Sequence, residues 1–169
     1  MTLRKHLFLD LEDTIIAPVL EGWWQTELIP ENAEKIRKII AEYKPDVVNI
    51  FSFAIHNDRE RANFGMGTQP MIERALGVTF SSIPIVEGEI IEACCNMKWI
   101  SSDRCDFIDI RDFWGKQDAF KLWCRHLFQH SWEKWQQETE VMLLDDDVFN
   151  ENFQWPDMHV TGQIIDITK

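Results

Sequence analysis

Residues 5–14, KHLFLDLEDT, join a short apolar run to acidic residues that follow it directly. The apolar part is residues 7–9, and Asp10 ends it. A short continuous apolar run that ends on a polar residue is typical of a strand buried inside a parallel sheet. This stretch therefore predicts the first strand of an α/β fold, with Asp10 at its carboxyl end.

The next segments predict a flap, a helix and a second strand. Residues 15–28 hold a Pro, a Glu-Gly pair and two Trp, which favour a small hairpin or flap. Apolar residues then recur at helical spacing from Pro30, which suits a first helical turn, until Pro45 ends the helix. Residues 46–51, DVVNIF, are mainly apolar and predict a strand parallel to the first.

Three further helices are predicted. Two cover residues 57–64 and 68–76, with Asn57 and Thr68 as candidate N-caps and Gly77 as the end of the second. The third is a helix of about five turns after Gly115. Its apolar face comprises Phe120, Trp123, Cys124, Leu127, Ser131 and Trp135.

The remaining strands complete one domain. They are predicted at residues 105–110 and 140–144, with one or two edge strands at 159–160 and 164–167. Strands that alternate with helices predict a single α/β domain over residues 1–169, with a mainly parallel sheet.

Composition limits the choice of partners and compartment. The chain of 169 residues carries 17 Lys and Arg against 29 Asp and Glu, so its net charge is −12. Such a surface repels phosphate backbones and anionic lipid, which argues against nucleic acid and membranes as partners. The four cysteines form neither a CxxC pair nor a secreted-type disulfide framework and are expected to be buried thiols. With no signal-peptide pattern at the N-terminus, we expect a cytoplasmic protein.

Acidic and polar side chains follow several predicted strands at the point where each strand ends. These residues are Asp10, Glu12, Ser52, Asp145 and Asp146. In an open parallel sheet the carboxyl ends of the strands meet at one edge, where ligands bind. Several carboxylates in one crevice repel one another unless a cation with oxygen ligands offsets their charge. The pattern therefore predicts a Mg²⁺ site.

These residues resemble the motifs of the haloacid dehalogenase superfamily of phosphohydrolases. The stretch FLDLEDT resembles the first motif, DxDxT or DxDGT, with Asp10, Glu12 and Thr14 at its defined positions. Ser52 at the end of VNIFS resembles the second motif, a Ser or Thr that ends a strand. Both matches lie on predicted strands, which is the context that the motifs require.

The third and fourth motifs have counterparts in the same order. Lys116 in WGKQDAF resembles the third, a Lys at a helix start, although the spacing to Asp145 is 29 residues from Lys116 and 24 from Lys121, and spacing favours the latter. The stretch VMLLDDDVFN resembles the fourth motif, an apolar strand that ends in two acids with an acid or Asn further on. It supplies Asp145, Asp146 and Asn150.

The resemblance implies a Rossmann-like three-layer sandwich and a phosphatase that acts on phosphate monoesters. Asp10 would attack the phosphorus and form an aspartyl-phosphate, which water then hydrolyses. Glu12 would protonate the leaving oxygen and then activate the water. Ser52 and Lys116 would bind phosphoryl oxygens. The implied Mg²⁺ ligands are Asp10, the backbone carbonyl of Glu12, Asp145 and Asp146.

The chain departs from this resemblance at its second acid and in its cap. Most phosphatases of the superfamily have Asp where this chain has Glu12; the enolase-phosphatases have Glu in a DxEGT motif, but here Asp13 replaces the Gly. Residues 15–28 supply only a flap, and residues 78–104 leave room for a small insertion. We therefore expect almost no cap, and the motif does not identify the substrate.

Other residues near the predicted site have two interpretations. Trp23 could stack on a substrate from the flap or belong to the core. His56 could reach the substrate, and Asp147 could be a third ligand or a solvated turn residue. His126 and His130 have the spacing of paired metal ligands but lack an adjacent Glu and suit a solvated helix face.

Three functions fit these observations. The first is a Mg²⁺-dependent phosphatase with a phosphorylated small molecule as substrate, acting as a monomer or a homo-oligomer. The second is a catalytically weak or inactive binding module with the same fold, which the exchange at Glu12 suggests. The third is a phosphatase for a macromolecule, which a site with almost no cap would admit.

Overall fold

The computed structural model describes residues 2–20, 22–96, 119–120, 122–128, 130–146 and 161–169. Within these ranges the chain forms one open sheet with helices on both faces. The strands are β1 (Arg4–Leu9), β2 (Val47–Ile50), β3 (Thr139–Asp145) and β4 (Thr161–Asp166). The strand predicted at 105–110 and the edge residues 159–160 lie outside the described residues.

The sheet has the order β2-β1-β3-β4, and all three pairings are parallel. Leu9 is in register with Ile50 on one side and Leu144 on the other. The prediction of a mainly parallel sheet is confirmed for the described strands. The central strand β1 is fully buried at Leu7 and Leu9, as its continuous apolar sequence requires.

Helix α1 (Pro30–Tyr43) connects β1 to β2 and confirms the predicted helix. Pro30 occupies the first turn, where its missing N–H costs nothing. The helix ends at Lys44, which adopts a left-handed conformation with φ 52° and donates its N–H to the carbonyl of Ile40. The prolyl ring of Pro45 then prevents the helix from continuing.

Helices α2 (Asp58–Met66) and α3 (Thr68–Leu76) follow the second strand. Asn57 caps α2 as predicted, because its Oδ1 accepts the N–H of Glu60 at 3.0 Å. Gly77 ends α3 with a φ of 69°, also as predicted. The N-cap prediction for Thr68 is wrong: Gly67 is the N-cap, and the Thr68 hydroxyl donates to the carbonyl of Trp23 at 2.6 Å.

The prediction of one long helix after Gly115 is wrong, because residues 128, 130 and 131 form a turn. The segment instead forms two helices, α5, described at residues 119–120 and 122–127, and α6 (Trp132–Glu138). Helix α4 (Val86–Asn96) precedes both in the chain. The turn brings Phe128 and Trp135 into a stack with ring centroids 4.3 Å apart. Seven residues of one straight helix would separate them by about 10 Å along its axis. The aromatic contact therefore requires the break.

Two hydrophobic clusters cover the two faces of the sheet. One joins the sheet to α4, α5 and α6 and includes Phe8, Phe51, Ile90, Phe120, Trp123 and Val141. The other joins it to α1, α2 and α3 and includes Leu7, Leu9, Ile36, Phe64, Ile72 and Leu144. Because the neighbours Leu7 and Phe8 belong to different clusters, the sheet is buried on both sides. The result is a three-layer arrangement of helices, sheet and helices, compatible with a Rossmann-like sandwich.

Two smaller observations complete the fold. Cys124 is fully buried, as expected for the cysteines, and burial raises the pKa of its thiol; the side chains of the other three lie outside the described residues. Among the described helices, none has the length and apolar character needed to cross a membrane.

Candidate functional site

The site lies between β1 and β3, where the order in which the chain adds strands to the sheet reverses direction. From β1 the chain moves to β2 on one side and later returns to β3 on the other. This switch point leaves a crevice outside the carboxyl ends of the two strands, the place where open parallel sheets bind ligands. The N–H of Asp10 donates to the carbonyl of Leu144 at 3.0 Å, which fixes Asp10 beside the end of β3.

Three aspartates converge in this crevice. Asp10, Asp145 and Asp146 each offer a carboxylate oxygen, and these oxygens lie within 4.8 Å of one another. Asp10 and Asp145 are buried, with 4% and 1% of their surface exposed. Two negative charges about 4 Å apart repel by roughly 4 kcal/mol at an effective dielectric constant of about 20. The cluster could hold a metal ion, which would offset this repulsion.

The size of the cluster fits a hard divalent cation. Opposite oxygens around a six-coordinate Mg²⁺ are about 4.2 Å apart, and those around Ca²⁺ are about 4.6 to 5.2 Å apart. The oxygens of the cluster lie within 4.8 Å of one another, a limit that falls inside the Ca²⁺ range and exceeds the Mg²⁺ value by about 0.6 Å. Carboxylate oxygens are the preferred ligands of both ions. The donor set therefore agrees with the predicted kind of site.

Thr14 connects two of the three aspartates. Its hydroxyl oxygen lies 3.2 Å from Oδ2 of Asp10 and 3.2 Å from Oδ1 of Asp146. A hydroxyl carries one hydrogen, so it donates to one of these carboxylates at a time. The sequence placed Thr14 in the first motif but gave it no partner, since the contact to Asp146 depends on the folded sheet.

A tight loop after β1 brings Thr14 back to the cluster. The carbonyl of Leu11 accepts the N–H groups of Thr14, Ile15 and Ile16 at 3.3, 2.9 and 3.1 Å. Asp13 enters this loop with a φ of 57°. Left-handed conformations favour Gly and are tolerated by Asp and Asn among other residues. The loop thus needs a residue of this type at position 13.

Glu12 points to the flap. Its Oε1 accepts the N–H of Val19 at 2.6 Å. The flap folds back on itself, since Ile16 forms an antiparallel bridge with Leu28 and Ala17 donates its N–H to the carbonyl of Glu27. The carboxylate of Glu12 is therefore held by the flap, and the sequence gave no signal for this backbone contact.

Ser52 lies at the same edge of the sheet, on the other side of β1. The N–H of Phe51 donates to the carbonyl of Leu9, so the pairing of β1 with β2 extends to the residue before Ser52. Ser52 is buried, and its Oγ accepts the N–H of Ala54 at 3.3 Å. No described residue accepts the Ser52 hydroxyl hydrogen, which leaves it able to donate to a ligand.

Trp23 belongs to the core. Its ring is 4% exposed and packs edge to face on Phe64 with centroids 5.1 Å apart. A ring held in this way is not presented to the crevice, so we do not place Trp23 among the binding residues. Lys116, its rival Lys121, Asp147 and Asn150 all lie outside the described residues.

Two acidic residues near this end of the sheet make contacts that the sequence did not predict. Glu87 at the start of α4 lies 2.8 Å from Nδ1 of His56, which ties the loop after β2 to α4. Asp166 at the end of β4 is in register with Asp145. Burial favours its neutral form, but hydrogen bonds from Thr168 and the charge of Lys169 outweigh burial and lower the pKa of Asp166. Its carboxylate is therefore already engaged.

Comparison of the chain with protein-family models, with curated proteins and with solved structures found no match. The fold and the site define an α/β protein with an open parallel sheet and a cluster of three aspartates at its switch point.

Proposed function

We propose that this protein is a Mg²⁺-dependent phosphatase of the haloacid dehalogenase type, which hydrolyses a phosphate monoester through an aspartyl-phosphate on Asp10. The observation that carries the proposal is the position of Asp10. It lies at the end of the central strand, buried beside Asp145 and Asp146 across the switch point. A carboxylate in this position can both attack a bound phosphate and share a cation with its neighbours.

The loop after β1 supports the resemblance on which the proposal rests. One form of the first motif has Gly where this chain has Asp13. Asp13 adopts a φ of 57°, a conformation in which Gly is the usual residue and Asp is tolerated. The exchange of Gly for Asp therefore keeps the loop conformation that directs Thr14 to Asp10.

Each proposed catalytic or binding side chain has its own role in the reaction. An oxygen of Asp10 forms a bond to phosphorus as the bond from phosphorus to the leaving oxygen breaks, and Glu12 gives that oxygen a proton. Glu12 then takes a proton from water, which attacks phosphorus and releases Asp10 with inorganic phosphate. Ser52 would donate its hydroxyl hydrogen to a phosphoryl oxygen, and by resemblance Lys116 would bind another.

A Mg²⁺ ion held by Asp10, Asp145 and Asp146, with the backbone carbonyl of Glu12, would offset the charge of the carboxylates and of the phosphate. Without such an offset, an anionic nucleophile and an anionic substrate repel each other. The Thr14 hydroxyl lies 3.2 Å from both Asp10 and Asp146 and can donate to either carboxylate, which places all three groups around a common point.

The contact between Glu12 and Val19 fits the role of an acid and base that works with the flap. The additional methylene of Glu, relative to Asp, lets the carboxylate reach the flap amide at 2.6 Å. Movement of the flap would then move the proton donor, which would couple substrate entry to proton transfer. The same contact favours the second candidate, a binding module, if the flap holds Glu12 away from the substrate.

Hydrolysis of p-nitrophenyl phosphate tests the proposal. We expect turnover with Mg²⁺, none with excess chelator, and none in Asp10→Asn. Asp46→Asn is the matched control, because it is the same substitution at the opposite end of the strands, where Oδ2 of Asp46 accepts the N–H of Lys5. Mg²⁺ binding without turnover in the wild-type protein would favour the binding module, and turnover that survives Asp10→Asn would exclude Asp10 as nucleophile.

A further inference from the structure

A second cavity lies at the amino ends of β1 and β3, at the opposite edge of the sheet from Asp10. It has a volume of about 270 Å³, and its walls include Arg4, His6, Phe128, Lys134, Trp135 and Glu138. Arg4 and Asp10 are six residues apart on an extended strand, which places the cavity about 20 Å from the aspartate cluster. It is therefore separate from the proposed phosphatase site.

One wall of this cavity is aromatic. Phe128 and Trp135 stack with an interplanar angle of 15° and centroids 4.3 Å apart. His6 meets both rings edge to face, with centroids 6.4 Å from Phe128 and 6.2 Å from Trp135. Flat aromatic walls favour planar ligands. Drug-sized ligands usually occupy pockets of about 300 to 1,000 Å³, so a cavity of this volume suits a single ring system.

His6 provides a polar group that the described protein leaves unsatisfied. Its side chain lines the cavity, the residue is 7% exposed, and no described residue forms a hydrogen bond to its Nδ1. Most buried polar atoms in proteins have a partner, since an unmatched one is costly. Burial and the charge of Arg4, opposed by Asp46, lower the pKa of His6 to about 4, so its ring is neutral at pH 7. Because Nδ1 has almost no accessible surface, the neutral ring of His6 offers the cavity an uncharged aromatic wall and not a hydrogen bond.

The charges at the cavity favour an anion. Arg4 and Lys134 contribute two positive charges, and Glu138 contributes one negative charge. The Lys134 ammonium is 4.0 Å from the Glu138 carboxylate, so their pairing is weak, and no carboxylate in the described ranges pairs with Arg4. The residues that line the cavity thus carry a net charge of +1, on a chain whose net charge is −12. Such a place attracts anions that the rest of the surface repels.

We propose that this cavity is a binding site for a small planar aromatic carboxylate. The ring of the ligand lies against Phe128 and Trp135, and its carboxylate lies toward Arg4 and Lys134. The aromatic wall selects the ring of that ligand, and the positively charged side chains select its carboxylate. The proposal does not depend on the phosphatase activity.

Binding of benzoate, followed by two-dimensional amide NMR, tests the proposal. We expect saturable shifts confined to residues 4–6 and 128–139, and at least tenfold weaker binding of the neutral isostere benzamide, because a charge-assisted hydrogen bond contributes more than the 1.4 kcal/mol that corresponds to tenfold. Arg4→Gln should weaken benzoate about tenfold and leave benzamide unchanged. Arg4 is exposed, so this variant keeps the fold.

Lys38→Gln is the control, since Lys38 is an exposed cation on α1. It should leave benzoate binding unchanged. Three results would overturn the proposal: no saturable shift with benzoate, equal affinity for benzoate and benzamide, or equal loss of benzoate binding in Arg4→Gln and Lys38→Gln. None of these readouts uses phosphatase turnover, so failure of this proposal and failure of the proposed function are separate results.

Discussion

The hydroxyl of Thr14 lies 3.2 Å from Oδ1 of Asp146, a residue 132 positions later in the chain. The contact joins the loop after β1 to the end of β3 and crosses the switch point of the sheet. Because the same hydroxyl is 3.2 Å from Oδ2 of Asp10, Thr14 lies between two proposed cation ligands. The loop after β1 is therefore linked to the end of β3 through this side chain.

Loss of the Thr14 hydroxyl should destabilise the metal-free protein. Thr14→Val keeps the shape of the side chain but leaves two carboxylates without this donor, which costs about 1 to 3 kcal/mol for buried groups. We expect the free energy of unfolding, measured by urea denaturation with chelator present, to fall by that amount. Thr14→Ser keeps the hydroxyl and should lose less. Equal stabilities for the Val and Ser variants would show that the hydroxyl does not hold the carboxylates.

Addition of Mg²⁺ should raise the melting temperature if the aspartate cluster binds it. A ligand at a concentration of 100 times its Kd stabilises the folded state by about 2.7 kcal/mol. Asp145→Asn should remove this gain. Asp166→Asn is the matched control, because Asp166 is in register with Asp145 but is bound to Thr168 and Lys169. Equal gains in both variants would place the cation elsewhere, and Ca²⁺ in parallel tests which ion the spacing prefers.

Two substitutions should distinguish the proton-transfer role of Glu12 from its contact with the flap. Glu12→Gln keeps an oxygen that can accept the N–H of Val19 but removes proton transfer. We expect turnover of an alkyl phosphate to fall about 10²- to 10⁴-fold, with unchanged amide hydrogen exchange at Val19. Glu12→Ala should lose turnover and speed this exchange. Slow exchange at Val19 in the Ala variant would contradict the flap contact.

Acid should destabilise the protein partly through His6. The pKa of His6 is about 4 in the folded protein and about 6.5 when unfolded, so the unfolded state binds more protons between these values. His6 therefore costs nothing above pH 6.5, and its penalty grows as the pH falls toward 4, up to about 3 kcal/mol. Arg4 adds to the effect and Asp46 opposes it.

Comparison of unfolding curves isolates this contribution. His6→Phe keeps a ring among Phe8, Phe128 and Trp135 and removes the titration. The wild-type protein should lose stability relative to His6→Phe as the pH falls from 6.5 to 4. His130→Gln changes an exposed ring and should show no such trend. A constant difference between wild type and His6→Phe over this range would refute the assignment.

The sequence was sufficient to predict those features that depend on local chemistry. Pro30, Asn57 and Gly77 act through their own backbone or side-chain geometry, and each marks its helix boundary as predicted. The meeting of Asp10 with Asp145 also followed from the pattern, because parallel strands align their carboxyl ends whatever the intervening chain does.

Features that depend on the path of the backbone in space were not predictable. The helical spacing of apolar residues from Phe120 to Trp135 does not reveal the turn between α5 and α6. Phe128 and Trp135 must be apolar in either case, because they would be buried in one long helix and also stack on each other across the turn. Thr68 has the chemistry of an N-cap, but its hydroxyl donates to the carbonyl of Trp23 instead. The contact from Glu12 to Val19 involves a backbone N–H that any residue at position 19 other than Pro would supply.

The most direct test of the central claim is detection of a phosphoryl group on Asp10. Glu12→Gln should form the aspartyl-phosphate from p-nitrophenyl phosphate, whose leaving group needs no proton, but hydrolyse it slowly because water is no longer activated. Acid quenching followed by mass spectrometry should therefore find the peptide that contains Asp10 heavier by one phosphoryl group, and find it unmodified when Asp10→Asn is added. Hydrolysis without any adduct, or an adduct that persists after Asp10→Asn, would contradict the account.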